Sequence, residues 1–233
     1  MKKMLATEVV SRLMLLIYPT PAMRTLLATL ALASFVSAAE PVHLTLADFT
    51  NLTGEAPSGG WTTEGDNTIH LVGKGGGNLI TKNEYTNFEL EWEWKLNPKG
   101  NNGIKYWVTK IGGKEWLGIE YQMIDDSGHA DGLRGGSHTT ASIYDIKEPA
   151  KDKAVKPAGE WNTSKIIVQD GKIQHWLNGS LAAEADTATP EWTEMVGKSK
   201  FKSKEGFAPG HGKIMLTEHG DETWFRNIKL TAK

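Results

Sequence analysis

Three features of the 233-residue chain predict an all-β protein, an antiparallel sandwich or barrel. Apolar and charged residues alternate with period two, Asp-Gly and Asn-Gly pairs punctuate the strands at short spacing, and no segment sustains a helical period. The composition agrees, with 25 Gly and 9 Trp but few long apolar runs. The clearest strand is Phe88–Leu96, which alternates through nine residues. Residues 97–103 are rich in Asn, Gly and Pro and predict a turn-bearing loop. Strands follow at 104–108 and 118–125. Residues 165–168 and 172–177 form a hairpin about Asp170-Gly171, and Asn178-Gly179 marks the next turn. A last pair, 213–218 and 223–230, flanks Gly220-Asp221. Residues 126–140 and 192–212 are too long and too polar for hairpin turns, so they are expected as rim loops. Within the strands, Trp92 or Trp94, Trp161, Trp176 and Phe225 are expected to be mostly buried.

Residues 23–39 carry a different signal. Arg24 supplies a positive charge, residues 26–36 an apolar run too short to span a bilayer, and Ser37-Ala38-Ala39 a small-x-small cleavage site. Residues 1–39 are therefore expected to be an upstream extension plus signal peptide, with either Met1 or Met23 as the start, and residues 40–233 a single domain. The expected location is periplasmic or secreted, with no membrane association after cleavage.

The composition excludes several classes. Without cysteine there is no disulfide scaffold, thiol nucleophile or Cys-ligated zinc, and no lipidated N-terminal Cys. Residues 40–233 hold 22 Lys and Arg against 27 Asp and Glu, a net charge of −5, which argues against a nucleic-acid partner. Gly75-Gly76-Gly77 precedes no helix, so it is no phosphate loop. Serine-elbow and zincin motifs are missing from the sequence.

Alternation also sorts the strands by face. Lys105 and Trp107 lie opposite Ile104, Tyr106 and Val108. Glu120 and Gln122 lie opposite Ile119, Tyr121 and Met123. His175 alternates with Gln174 and Trp176, and Trp224 and Arg226 with Phe225 and Asn227. Lys105, Trp107, Glu120, Gln122, His175 or Gln174, Trp224 and Arg226 are thus expected to converge on one polar, aromatic-lined face suited to a sugar. Each has an ordinary structural alternative: a cross-strand ion pair for Glu120 and Arg226, a half-buried histidine for His175, a turn cap for His219. Asp125-Asp126 is either a turn or an oxygen site for a hard cation such as calcium.

Six motifs occur in order and carry a resemblance: residues 101–106, 118–126, 141–145, 156–162, 175–179 and 219–228. Together they resemble the 3-keto-disaccharide hydrolase domain family, over about residues 42–231. One departure is Glu218, where the family pattern has Gln. The resemblance implies a concanavalin A-like jelly roll of two antiparallel sheets, export by bacteria, and cleavage of glycosides already oxidised at C3. That chemistry needs a base for the C2 proton, a cation or metal at the enolate oxygen, and a proton donor for the leaving oxygen. His175 or His219 is expected as base, Glu120 as base or metal ligand, and Lys105 or Arg226 as enolate stabiliser. Gln122, Trp107, Trp224, Tyr144 and Asp125 are expected as substrate-binding residues. A divalent cation on Glu120 or Asp125 is an open alternative, and no other cofactor is implied. Two-carboxylate acid catalysis by Glu120 and Asp125 ranks lower, as does an endoglucanase, whose Glu-x-Asp-x-x-Glu array the chain lacks. The competing class is a non-catalytic carbohydrate-binding module on the same fold. If Glu120, His175 and Arg226 lie on different faces of the sandwich, the constellation fails and the binding module takes first place.

The signal-peptide reading makes a direct prediction: protein recovered from its native host begins at or near Glu40 by N-terminal sequencing. A cytoplasmic chain that retains Met1 overturns it.

Overall fold

The computed structural model describes residues 40–233. The proposed signal segment lies outside the described residues. Two antiparallel sheets face one another across an apolar core. Thirteen strands build them: β1 (Val42–His43), β2 (Phe49–Asn51), β3 (Trp61–Glu64), β4 (Thr68–Leu71), β5 (Leu79–Thr81), β6 (Phe88–Leu96), β7 (Asn101–Ile111), β8 (Glu115–Ile124), β9 (Asn162–Gln169), β10 (Lys172–Leu177), β11 (Ser180–Asp186), β12 (Lys213–Leu216) and β13 (Thr223–Ala232). The larger sheet runs β11-β10-β9-β6-β13-β4-β3, with β1 on β13, and the smaller runs β2-β5-β12-β7-β8. The sandwich expected from alternation is therefore observed. The five short strands before residue 82 were not legible in the sequence, because two to four residues are too few to display a period. The loop expected at 192–212 begins with a helix, α1 (Pro190–Lys198), capped by Thr189, whose hydroxyl accepts from the Trp192 N–H. Nine residues give about two and a half turns, too short for a clear pattern.

β6 shows why alternation works. Phe88, Leu90, Trp92, Trp94 and Leu96 are buried, and the four residues between them are half-exposed. Facing them across the core are Ile104, Tyr106, Ile119, Tyr121 and Met123 of the smaller sheet. Full burial of such a side chain contributes about 1.5–3 kcal/mol. Of the aromatics expected inside, Trp92, Trp94 and Phe225 are buried. Trp161 and Trp176 are only half-buried, because both lie on the outer side of the larger sheet, over charged neighbours.

Two bulges interrupt the alternation. Trp107 has φ 50° and the β7–β8 register shifts beside it. The extra residue turns Trp107 into the core, its indole N–H donating to the Thr86 carbonyl at 2.9 Å. Val108 then joins Ile80 and Met215 in a small cluster apart from the main core. Trp107 is therefore no sugar platform, contrary to the expectation from strict alternation. A second bulge at Asn227, φ 52°, shifts β13 against β6.

His175 also points into the core and is fully buried. Its Nδ1 faces the carbonyls of Ala141 and Ser142 at 3.2 and 3.1 Å, so Nδ1 carries the hydrogen and Nε2 accepts from the Tyr106 hydroxyl at 2.9 Å. Burial pushes its pKa down to about 4, against the opposing pull of those carbonyls. Beside it runs a polar chain: Trp94 Nε1 donates to Ser164 Oγ, Ser164 pairs with the Tyr121 hydroxyl, and Tyr121 donates to the Trp176 carbonyl. No buried side-chain polar atom among the described residues lacks a partner.

A histidine kept neutral in the fold but free to charge when unfolded makes stability depend on pH. Above the unfolded pKa of about 6.5 the native state loses nothing. As pH falls from there through about 4, the unfolded chain binds a proton that the fold refuses, removing about 3 kcal/mol. Urea denaturation at pH 7 and pH 4.5 should show this loss, and His175→Gln should flatten the difference while lowering stability at pH 7.

Candidate active site on the smaller sheet

Glu120 lies on β8 with its side chain on the outer side of the smaller sheet, yet it is only 4% exposed. Two features place it there. Gly103, paired with Gln122 on the neighbouring strand, has no side chain to obstruct it: a Cβ at that position would sit 2.5 Å from Glu120 Oε1. Lys105, directly across from Glu120 in the ladder, places Nζ 3.6 Å from Oε2. The turn after β12 carries His219, whose Nε2 is 3.7 Å from Oε1. Both cations stand beyond hydrogen-bond length. Burial pushes the Glu120 pKa up, but Lys105, then His219, then Lys200 pull harder, so it lies below the usual glutamate value. The carboxylate is held ionised.

The loop after β8 closes one side. Residues 141–144 run along the edge of β8: Ala141 N–H donates to the Gln122 carbonyl at 2.8 Å and Tyr144 N–H to the Glu120 carbonyl at 3.0 Å. Ile143 enters the core, so Tyr144 lies on the Glu120 side. Its hydroxyl donates to Asp131 Oδ2 at 2.7 Å. Asp131 also accepts from Arg134 Nη1 at 2.7 Å, and its Oδ1 is 3.2 Å from His138 Nδ1. The other ring nitrogen of His138 stands 3.4 Å from Asp145 Oδ1. Asp145 in turn accepts from the Lys200 N–H at 2.7 Å, and Lys200 Nζ lies 4.1 Å over the Tyr144 ring. Burial and then the hydrogen bond to Asp131 push the Tyr144 phenol well above the usual tyrosine value. Burial lowers the Lys200 pKa and Lys105 adds to that, against the pull of Glu120.

The structure thus brings Lys105, Glu120, Gln122, Tyr144 and His219 to one face. It separates the others. His175 is in the core, one layer away. Arg226 and Trp224 project from the outer side of the larger sheet, across the full thickness of the sandwich from Glu120. Arg226 donates through Nη2 and Nε to Glu93 Oε2 at 2.6 and 2.9 Å and lies 3.9 Å over Trp161. Trp224 stacks on His70 at 4.6 Å with Lys95 Nζ 4.0 Å from its ring. The predicted grouping of Glu120, His175 and Arg226 therefore fails: alternation sorts faces within a strand but says nothing about which sheet the strand enters. Asp125 is also displaced from its expected role. Its carboxylate accepts from the N–H groups of Lys99, Ser127 and Gly128 and from the Ser127 hydroxyl, which makes it a turn cap. Among the described residues no group of three or more His, Asp or Glu is disposed to hold a metal ion.

Sequence reasoning missed Asp131, Arg134, His138, Asp145 and Lys200. All but Asp145, which ends the 141–145 motif, sit in the two stretches that broke the strand rhythm, and that break was the available signal. What the face offers chemically is a buried, ionised carboxylate with Lys105 and Lys200 near it, a protonated phenol at its side and His219 at its rim.

A family model described as the 3-keto-alpha-glucoside-1,2-lyase-like domain matches residues 45–231. A 3-keto-disaccharide hydrolase of Bacteroides thetaiotaomicron is 34% identical over 202 residues, spanning 73% of this chain and 69% of that protein. A crystal structure of a candidate glycosyl hydrolase from Parabacteroides distasonis superposes with a TM-score of 0.72 at 26% identity, covering 81% of this chain and 90% of that one. A second such structure from the same species gives 0.65 at 26% identity, covering 83% and 100%.

The close approach at Gly103 can be tested alone. In Gly103→Ala the new methyl would lie 2.5 Å from Glu120 Oε1, 3.0 Å from its Cγ and 3.1 Å from the Tyr121 carbonyl, so the Glu120 side chain must move and the β8 backbone give by a few tenths of an ångström. The variant should keep a near-native melting temperature, and a crystal structure should show the carboxylate moved away from Lys105 or His219.

Proposed function

This chain belongs to the 3-keto-alpha-glucoside-1,2-lyase-like domain family, and from that premise we propose that it cleaves glycosides carrying a ketone at C3, with Glu120 as the base. The observation that carries this reading is the buried Glu120 carboxylate, held ionised with Lys105 and His219 within 4 Å and Lys200 near enough to lower its pKa. The coarser conclusion, a carbohydrate-active hydrolase, is supported by the 34% identical relative named a 3-keto-disaccharide hydrolase.

A ketone at C3 acidifies the hydrogen on C2. Glu120 takes that proton, and the electron pair of the broken C–H bond moves toward C3, placing negative charge on the ketone oxygen. A carboxylate is a weak base, so the step depends on stabilising that oxygen. Lys105 and Lys200 supply the positive charge in a partly dehydrated site, where it acts more strongly than in water. The enolate then reforms the ketone and expels the C1 substituent, leaving a C1–C2 double bond. His219, at the mouth with its side chain 38% exposed, is placed to deliver a proton to the departing oxygen. Water adds across the double bond, its oxygen to C1 and a proton to C2, giving net hydrolysis. Tyr144, fixed by Asp131 and stacked under Lys200, positions Lys200 and presents a polar edge to the sugar.

The separation of His175 and Arg226 from Glu120 taken alone puts the non-catalytic binding module first. The family match, the hydrolase relative and the ionisable set around Glu120 favour catalysis instead. A lectin face has no need of a buried carboxylate held ionised by neighbouring positive charge, whose desolvation is unfavourable unless the charge is used.

The mature protein should release the aglycone from a 3-keto-glucoside and leave the unoxidised glucoside intact. Glu120→Gln preserves shape and removes charge, so turnover should fall by roughly 10²–10⁴-fold with the fold unchanged. Because the Glu120 pKa is lowered, the acid limb of the rate profile should lie below that of an ordinary glutamate. Equal rates on the two glucosides, or an active Glu120→Gln variant, would overturn the reading.

A further inference from the structure

The outer side of the larger sheet carries three half-buried tryptophans, Trp161, Trp176 and Trp224. Two are already occupied: Arg226 lies 3.9 Å over Trp161, and Trp224 is held between His70 at 4.6 Å and Lys95 at 4.0 Å. Trp176 differs. Lys165 Nζ is 5.5 Å from its ring centroid, and a cavity of about 220 Å³ opens beside it, lined by Glu91, Thr163, Ser164, Lys165, Trp176 and Gly179. Bulk water occupies about 30 Å³ per molecule, so this is space on the scale of one sugar ring rather than of one or two solvent molecules.

Register fixes the polar groups beside the indole. Trp176 pairs with Lys165, Lys165 with Glu91 and Glu91 with Lys229, so aromatic, cation, anion and cation form one cross-strand row. Lys165 Nζ lies 3.6 Å from Glu89 Oε1. Glu91 lines the cavity, where its carboxylate can accept from a hydroxyl. The Trp176 indole N–H is directed to Gln174 Oε1 at 3.2 Å, which pins the ring in its plane.

We propose that this pocket is a second carbohydrate site, separate from the Glu120 face, in which the Trp176 ring receives a face of one pyranose unit of a glycan chain while Glu91, Lys165 and the Thr163 hydroxyl bond its hydroxyls. The chemistry of the lining selects the ligand. A flat apolar ring flanked by both a carboxylate and an ammonium suits a neutral ring with apolar faces and equatorial hydroxyls that donate and accept. An anion would meet Glu91 and a cation Lys165. The proposal is independent of catalysis at Glu120, since the two faces lie on opposite sides of the sandwich. It gives the protein a means to stay on a polymer while the other face acts on small oxidised sugars.

Native electrophoresis through gels cast with dextran, xylan, mixed-linkage β-glucan or galactomannan tests it. The wild type and Glu120→Gln should both be retarded by at least one polymer, and Trp176→Ala should migrate as in the polymer-free gel, a loss of at least tenfold in affinity. Trp176→Ala should turn over a soluble 3-keto-disaccharide at the wild-type rate. Glu91→Ala, which disturbs no packing, should weaken retardation in the same gels and decides the matter if circular dichroism shows Trp176→Ala misfolded. Lack of retardation on all four polymers overturns the proposal. So does undiminished retardation of both Trp176→Ala and Glu91→Ala, or retardation lost in Glu120→Gln alone, which would place the polymer on the other face.

Discussion

A buried negative charge on the outer side of the smaller sheet organises the surrounding structure. Removing a carboxylate from water costs several kcal/mol unless the charge is matched. Glu120 is nearly inaccessible and still ionised. Lys105 is supplied by ladder pairing, the space by the missing side chain of Gly103, and the remaining cations by chain far away in sequence. Two irregular segments, residues 125–147 and 199–212, add to this arrangement: they bring Lys200 over Tyr144 and near the carboxylate, and the first is held by the Asp131–His138–Asp145 contacts.

The core between the sheets has a different character. It contains polar atoms, but every one is directed to a partner, as in the series from Trp94 through Ser164 and Tyr121 to the Trp176 carbonyl. His175 belongs to this layer. Its ring is neutral, its tautomer fixed by two carbonyls, and its surroundings closed. The same residue type occupies opposite settings in the two places: His175 is sealed in the core, whereas His219 stands partly exposed 3.7 Å from Glu120. The smaller sheet therefore carries its chemistry outward, and the larger sheet carries aromatic and charged rows on its own outer side.

The sequence by itself determined the sandwich, because period two over β6, β9 and β10 is the direct image of one buried and one more exposed face. It also placed Glu120 and Gln122 on one side of their strand, since residues two apart share a face wherever no bulge intervenes, as one does between Lys105 and Trp107. It could not determine the short strands β1 to β5, whose two to four residues hold no full pattern, nor the bulge at Trp107, whose positive φ depends on packing against the Thr86 carbonyl. Only the tertiary structure decided which side was which. β8 enters one sheet and β10 and β13 the other, so Glu120, His175 and Arg226 occupy three different layers although each obeys its own strand's alternation. The physical reason is that alternation is a property of one strand. Convergence on a site depends on sheet order and on loops that cross between sheets, and these are settled by the packing of the whole core.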